Sequence, residues 1–249
     1  MPNAFARKLR RFADLSSDDI AALVKIVGHS EPRRRGEDLT RQGDRPDTVQ
    51  ILLSGWGCRY KVLDDGRRQI CGFLIPGDLC DLHVSLLNHM DHSVGLLTRA
   101  QVAMVHVADL HAMMERRRRI ERALWCASLA DEAILREWLV SAGRRDAFSR
   151  VGHRLCEIRQ RLAEVGLVDR NGEFDLPVSQ EELADSLGLS AVHVNRTLTR
   201  LRAEGLIEQK RRRMRLPRPD RLAELSGFDP AYLHPCAWLE EPTRSKRIG

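Results

Sequence analysis

The sequence predicts an α+β protein with an N-terminal antiparallel β-roll (jelly-roll-like), one long helix for dimerisation and a C-terminal winged helix-turn-helix. From about residue 31 to 107, short apolar runs alternate with turn signals, which is typical of an antiparallel barrel or sandwich. Residues 116–141 contain neither glycine nor proline, and apolar residues recur in them at steps of three and four, which favours a helix. Residues 178–207, VSQEELADSLGLSAVHVNRTLTRLRAEGLI, carry the caps and the turn of a helix-turn-helix.

The 249 residues suffice for two domains of ordinary size, each with its own core. We expect a β-roll sensor domain over residues 1–115, a dimerisation helix over 116–142 and a winged helix-turn-helix domain over 143–225. The C-terminal tail, 226–249, has a mixed composition with several prolines, and the pattern assigns it no structure. Ahead of the roll, residues 15–23 predict a short capped helix.

The roll is predicted from five apolar runs and from the turns between them. Asp65-Gly66 separates two of the runs and is a hairpin signal, because glycine accepts the positive φ of a tight turn. Ser54-Gly55 and Pro76-Gly77 mark two further turns. The predicted strands are Val49–Leu53, Cys58–Leu63, Gln69–Ile75, Val94–Leu97 and Val102–Val107.

The long helix is predicted to pair with its copy in a second subunit. Alternating steps of three and four place one set of side chains on a single helix face, as in a helix–helix interface. Asp131 interrupts the apolar character of that set, and an amphipathic helix packed on its own domain is the alternative. We favour a homodimer because helix-turn-helix proteins commonly bind paired half-sites about 34 Å apart. The predicted dimer interface is Ile120, Leu124, Ala127, Asp131, Ile134 and Trp138.

Two capped helices make up the helix-turn-helix. Ser179 and Glu182 have the spacing of a capping box, which satisfies two free amides at a helix start. Gly188 ends the first helix, since glycine adopts the left-handed conformation without a steric penalty. Ser190 caps the second helix, whose core-facing residues are predicted to be Val194, Leu198 and Leu201.

The opposite face of the second helix has the residue types that enter a DNA major groove. Arg196 suits a bidentate contact to guanine, Asn195 a contact to adenine and Val192 a contact to a thymine methyl group. For each of these residues, contact with phosphate or solvent remains the alternative. The predicted DNA-binding residues are Ser179, Ser190, Ala191, Val192, Asn195, Arg196, Thr199, Arg200, Lys210, Arg211 and Arg212.

Basic residues are concentrated on the same C-terminal part. The net charge is +6, and Ser190 to Arg221 contains ten Arg or Lys against three Asp or Glu. Such a concentration favours contact with phosphates, although a solvated basic surface is the alternative. Ile207–Gln209 and Met214–Leu216 flank Lys210–Arg213, which predicts a two-stranded wing with a basic tip near the DNA backbone.

Composition also excludes several classes of protein. No segment is long and apolar enough to span a bilayer, and the N-terminus has no apolar signal core, so we expect a cytoplasmic protein without a membrane partner. The six cysteines form no C-x-x-C pair and are expected to be free thiols. No nucleophile motif, phosphate-binding loop or carboxylate pair is present, so we predict no catalytic residue and no enzymatic activity.

The order of these parts resembles the CRP/FNR family of bacterial transcription regulators, over about residues 5–225. The similar motifs are RRGEDLTRQGD (34–44), ILLSG (51–55), DGRRQI (65–70) and FLIPGDL (73–79). The resemblance implies a homodimer that binds double-stranded DNA, works with RNA polymerase and moves its DNA-binding domains when the roll senses an effector. Where family members often carry Arg and Glu, the recognition helix has Ala191 and Val192, so its operator is expected to differ.

The effector is left unidentified, and no cofactor is assigned. Family members that bind cyclic AMP carry a Glu and an Arg after the P-G-D motif, and these positions are Leu82 and His92 here, with Ser93 keeping a small hydroxyl. Leu82, His92 and Ser93 are therefore the expected effector pocket, but cyclic AMP is not the expected ligand, because neutral histidine is a poor substitute for a guanidinium. An iron–sulfur cluster is not expected either, since residues 1–57 contain no cysteine.

A histidine cluster in the roll leaves alternatives open. His83, His89 and His92 follow Cys80 and Asp81, so a metal or haem site is conceivable. We favour polar residues on a surface loop and predict no metal site, because the spacing matches no closed zinc motif. Cys80 and Cys71 are likewise interpreted as buried, inert thiols in preference to a redox pair.

Two functions from different classes are compatible with the sequence. The leading hypothesis is a sequence-specific, DNA-binding transcription regulator. The alternative is a ligand-binding signalling module whose C-terminal hairpin contacts protein. The two differ in the salt dependence of DNA binding, which is steep only when cations displace counterions from phosphates.

Overall fold

The computed structural model describes residues 3–82, 86 and 89–233. Two helices precede the roll, α1 (Ala4–Leu9) and α2 (Ser17–Ile26). Helix α2 confirms the prediction for residues 15–23, and Ser16 and Asp19 form its capping box. Helix α1 was not predicted, because six residues are too few to show a periodic apolar pattern.

Two antiparallel sheets form the roll. One sheet has the strand order β1-β7-β3 and the other has β2-β6-β4-β5. The five predicted runs all correspond to strands, whereas β1 and β2 are short, largely polar strands that the apolar pattern missed. The bounds are β1 (Ser30–Arg33), β2 (Asp38–Thr40), β3 (Thr48–Ser54), β4 (Gly57–Val62), β5 (Arg68–Leu74), β6 (Ser93–Leu96) and β7 (Ala100–His106).

The long helix starts after a one-residue interruption of the helical backbone conformation. Helix α3 (Val107–Arg116) ends at Arg117, and α4 (Arg118–Arg144) follows immediately. Arg117 has φ −135° and ψ 80°, which is outside the helical region and separates the two helices. None of the helices in the described ranges combines the length and apolar character needed to cross a bilayer.

The face of α4 that was predicted to form the dimer interface packs inside the same subunit. Ile120, Leu124 and Ala127 belong to the apolar core shared with the roll and α1, and they are at most 2% exposed. Ile134 and Trp138 belong to a second core, shared with the C-terminal part. This corrects the predicted interface, because side chains already buried in one subunit have no surface left for a partner helix.

The C-terminal part combines four helices with a small sheet. The helices are α5 (Ala147–Glu164), α6 (Gln180–Leu187), α7 (Ala191–Ala203) and α8 (Pro219–Ser226). The sheet has the order β8-β10-β9, with β8 (Glu173–Asp175), β9 (Glu208–Lys210) and β10 (Arg213–Arg215). The predicted pair of wing strands is present as β9 and β10, and β8 is an additional strand that the pattern missed, placed beside β10 by the fully buried Phe174.

The roll and the C-terminal part are joined by a continuous core and by ion pairs. Phe73 of the roll packs in the same apolar cluster as Leu155 of α5. On the surface, Arg68 of β5 pairs with Asp185 of α6 at 2.8 Å. The helix-turn-helix is consequently held against the roll of its own subunit.

Candidate nucleic-acid interface

The two helices of the helix-turn-helix have the predicted caps. The backbone amide of Ser179 donates to Glu182 Oε2 at 2.7 Å, and the amide of Glu182 donates to Ser179 Oγ at 3.1 Å. Gly188 ends α6 with φ 62°, and Ser190 Oγ accepts from the amide of His193 at 3.2 Å. These local bonds confirm the two predicted helix starts and the turn between them.

Helix α7 has one buried face and one open face. Val194, Leu198 and Leu201 are at most 3% exposed, as the periodicity predicted, whereas Val192 is 70% exposed. The open face forms a shallow concavity together with the start of α6. Its lining residues are Gln180, Ala191, Val192, Asn195, Arg196 and Thr199.

The polar side chains on this face differ in how free they are. Arg196 is exposed and forms no ion pair or hydrogen bond within the described part of the chain. Asn195 Nδ2 donates to Gln180 Oε1 at 2.9 Å, so its amide must change partner to contact a base. Arg200 is engaged by Glu204 at 2.8 Å and stacks on Phe148. Of these three side chains, Arg196 alone can bind another molecule without first losing a contact within the described part of the chain.

The tip of the wing presents three cations to solvent. Lys210, Arg211 and Arg212 are exposed, and Arg211 has φ 57°, the left-handed conformation that a tight hairpin turn requires. Arg213 was also expected near phosphates, but its guanidinium pairs with Glu173 at 3.2 Å and with Asp175 at 3.4 Å. Because β8 lies beside β10, its carboxylates neutralise Arg213.

Two residues of this surface were missed by sequence reasoning. Gln180 lines the concavity from the first turn of α6, and His193 is exposed one turn into α7. The exposure of His193 could have been predicted, because it follows the exposed Val192 and does not belong to the core-facing set of α7. The position of Gln180 could not have been predicted, because its proximity to Asn195 depends on the angle between α6 and α7.

Comparison with known proteins identifies the chain. A cyclic nucleotide-binding domain model matches residues 31–117, and a Crp-like helix-turn-helix domain model matches residues 149–225. The chain is 32% identical over 202 residues to the nitrogen fixation regulation protein FixK of Bradyrhizobium diazoefficiens, an alignment that covers 80% of this chain and 83% of that protein. The chain belongs to the CRP/FNR family of transcription regulators.

Further relatives agree with this assignment. The regulator is 28% identical over 197 residues to the transcriptional activator protein FnrL of Cereibacter sphaeroides, with 78% of each chain covered. Its fold is similar to the solved structure of FixK2 from Bradyrhizobium japonicum, with a TM-score of 0.69, 25% identity and coverage of 79% of this chain and 96% of that chain. The predicted architecture and the predicted function as a DNA-binding transcription regulator are confirmed, and the relatives are regulators, not enzymes.

A cavity of about 370 Å³ lies between the roll of the regulator and α4. Leu82 and His92, two of the three predicted effector residues, line this cavity. Ser93 does not line it, and its hydroxyl accepts from the amide of Gln42 at 3.0 Å. Much of the remaining lining is apolar, including Phe73, Leu79, Leu124, Ile134 and Leu135.

The charged groups of the cavity are largely paired with each other. Arg59 of β4 donates to Asp131 of α4 at 2.9 Å and to the carbonyl oxygens of Leu79 and Cys80. Burial by itself raises the pKa of Asp131, but Lys8 and Arg59 bring it down to about 2. Asp131, predicted as a break in a dimer interface, instead links α4 to the roll.

The two described histidines of the cluster, His89 and His92, have different partners. His92 Nδ1 contacts Asp91 Oδ1 at 2.7 Å, and His89 contacts Arg45 at 3.3 Å on the surface. His83 lies outside the described residues. Within residues 3–82, 86 and 89–233, no group of three His, Cys, Asp or Glu side chains is arranged to bind a metal ion.

The cysteines are mostly inert. Cys58, Cys71, Cys80 and Cys156 are free thiols, and burial raises the pKa of Cys80 to about 12 and also raises that of Cys71. These pKa values disfavour the reactive thiolate that a redox pair needs. Cys236 lies outside the described residues.

Proposed function

We propose that this regulator binds duplex DNA by placing α7 in the major groove with Arg196 against base edges. One observation carries the proposal: the open face of α7 presents a guanidinium, that of Arg196, with no partner among the described residues, while the other face of the helix is almost fully buried. A bidentate contact from arginine to guanine O6 and N7 contributes roughly 1–3 kcal/mol of discrimination between bases.

Residues around Arg196 supply the rest of the contact surface. Val192, exposed beside the smaller Ala191, suits a thymine methyl group, and Asn195 suits adenine once it leaves Gln180. Serine and threonine hydroxyls and the wing cations suit phosphate oxygens. The residues assigned to phosphate are Ser179, Ser190, Thr199, Arg200, Lys210, Arg211 and Arg212.

We assign the homodimer interface to the outer face of α4, which replaces the set predicted from sequence. Five large apolar side chains on this helix are exposed by 45–74%. Glu132 and Arg136 lie between them and form an i,i+4 ion pair at 3.4 Å. An apolar patch of this kind on a helix typically marks a protein–protein interface. The exposed residues are Trp125, Leu129, Leu135, Leu139 and Val140.

The effector site is assigned to the cavity beside Leu82 and His92. It opens along α4 at Ser128, Glu132 and Leu135, next to the proposed dimer interface. A ligand there contacts both the roll and the helix that positions the partner subunit. We infer that a largely apolar molecule fits this lining better than cyclic AMP, because both arginines among the described lining residues, Arg59 and Arg161, are already paired with carboxylates. RNA polymerase is the further partner through which such a regulator acts.

Fluorescence anisotropy with labelled duplex DNA across a salt series tests the function. A regulator that neutralises several phosphates shows a logarithm of affinity that falls linearly and steeply with the logarithm of salt concentration. The competing hypothesis, a signalling module whose C-terminal hairpin contacts protein, predicts weak and salt-insensitive DNA binding. A flat salt profile together with no selected sequence from a random DNA pool would contradict the proposed function.

A further inference from the structure

A segment beyond the family match closes over the junction between α4 and α5. The helix-turn-helix model ends at residue 225, but the chain continues through a reversal at Gly227, which has φ 62°. The amide of Phe228 donates to the carbonyl of Ala223 at 2.9 Å, and a 3-10 turn (Pro230–Leu233) follows. We call residues 226–233 the strap.

One carboxylate joins the strap to both long helices. Glu157 of α5 is fully buried, and its Oε2 accepts from Trp138 Nε1 of α4 at 2.9 Å. The same oxygen accepts from the Tyr232 hydroxyl at 3.1 Å. A buried carboxylate is costly unless hydrogen-bonded, and charge-assisted bonds of this kind are stronger than neutral ones. The carboxylate of Glu157 therefore links α4, α5 and the strap.

Aromatic packing adds a second contact between the strap and α5. The ring of His153 lies edge-on to Phe228 at 5.2 Å between centroids and stacks with Tyr232 at 5.9 Å. Leu233 is 2% exposed and lies in the apolar core that also contains Trp138. The strap thus rests on apolar contacts as well as on hydrogen bonds to one carboxylate.

We propose that the strap fixes the angle between α4 and α5, and that Tyr232 is a positioning residue that sets the half-site spacing this regulator accepts. The inference rests on the proposed function, in which α4 pairs the subunits and α7 contacts DNA. Since α7 packs on α5, a change in the α4–α5 angle moves the two recognition helices of a dimer relative to each other. Loosening the angle should therefore relax the spacing requirement before it weakens base recognition.

The experiment uses the full chain and half-sites selected from random DNA with the wild type. Palindromic duplexes are then made with the half-sites moved apart or together by one base pair, and dissociation constants are measured for wild type and Tyr232→Phe. We expect Tyr232→Phe to reduce the preference for the optimal spacing by roughly three- to tenfold, the effect of one lost hydrogen bond. A chain ending at Gly227 should reduce it further.

Tyr60→Phe is the matched control, because Tyr60 also donates to a carboxylate, Asp38 at 2.8 Å, but lies in the roll. It should leave the spacing preference unchanged. Equal loss of affinity on every spacing in Tyr232→Phe, or an unchanged preference in both strap variants, would overturn the role of the strap. A wild type that binds single half-sites as well as paired ones would instead contradict the proposed dimeric function.

Discussion

The guanidinium of Arg161 on α5 lies 2.7 Å from the carboxylate of Asp78, and both side chains are almost completely buried. Asp78 belongs to the P-G-D turn of the roll and also pairs with Lys8 of α1 at 2.8 Å. Arg161 further donates to the carbonyl of Phe73 at 3.0 Å. The sensor part and the DNA-binding part therefore share a buried ionic contact, next to the cavity that Arg161 also lines.

Replacing Arg161 by methionine should destabilise the protein by roughly 3–5 kcal/mol, because Asp78 then keeps only Lys8 as a cationic partner and the buried Glu157 loses its contact with Arg161 at 3.5 Å. Urea unfolding followed by circular dichroism measures the free energy of unfolding. Arg221→Met is the control, since Arg221 pairs with Glu224 on an exposed surface, and its effect should stay within about 0.5 kcal/mol. Equal stabilities for the two variants would show that the Asp78 contact contributes little.

Replacing Arg196 by alanine should weaken binding to a selected operator by roughly 1–3 kcal/mol and relax the choice of base at one position. Competition binding against operators with single base changes measures both effects. Lys210→Ala is the contrasting variant, because an exposed wing cation should contact phosphate and lower the affinity for all sequences alike. If Arg196→Ala behaved like Lys210→Ala, the contact to base edges would be excluded.

Introducing a charge on the outer face of α4 should separate the subunits. Leu139 is 74% exposed in one subunit. Leu86 of the roll is 73% exposed, so Leu86→Glu is a matched control that adds the same charge at an equally exposed leucine away from α4. We expect a mass close to one chain for Leu139→Glu and close to two chains for wild type and Leu86→Glu. Sedimentation equilibrium decides the matter, and a dimeric Leu139→Glu would refute the assigned interface.

The buried imidazole of His153 should make stability sensitive to acid. Burial lowers the pKa of His153 from 6.5 to about 3, and nearby Arg145 and Arg154 act in the same direction. Below about pH 6.5 His153 is protonated in the unfolded chain but stays neutral in the folded protein. The free energy of unfolding therefore decreases as the pH falls from about 6.5 towards 3. The slope from one such group is at most about 1.4 kcal/mol per pH unit.

Unfolding measured across that range should show a shallower decline for His153→Phe than for the wild type, since phenylalanine keeps the ring contacts with Phe228 and Tyr232 but does not titrate. His29→Phe, at an exposed position, should retain the wild-type decline. Parallel curves for all three proteins would mean that His153 is not held neutral in the folded state.

Features that depend on residues within about four positions were predictable. The capping boxes at Ser16 and Ser179 and the glycine turn at Gly188 are formed by groups that are neighbours in the chain. The apolar face of α7 followed from its period in the same way. Together with the family motifs, these local signals sufficed for the fold class and for the recognition helix.

The sequence by itself thus determined most of the helices and strands, although not α1, β1, β2 and β8, and which side of α7 is exposed. Only the tertiary structure decided which side of α4 faces its own core, because both sides carry apolar residues at helical spacing and the choice depends on contacts with the roll. Tertiary contacts also brought β8 beside β10, closed the strap over Glu157 and paired Arg161 with Asp78. The residues in each of these contacts are far apart in the chain. They become neighbours only when the core is buried, and a local sequence pattern carries no information about such distant contacts.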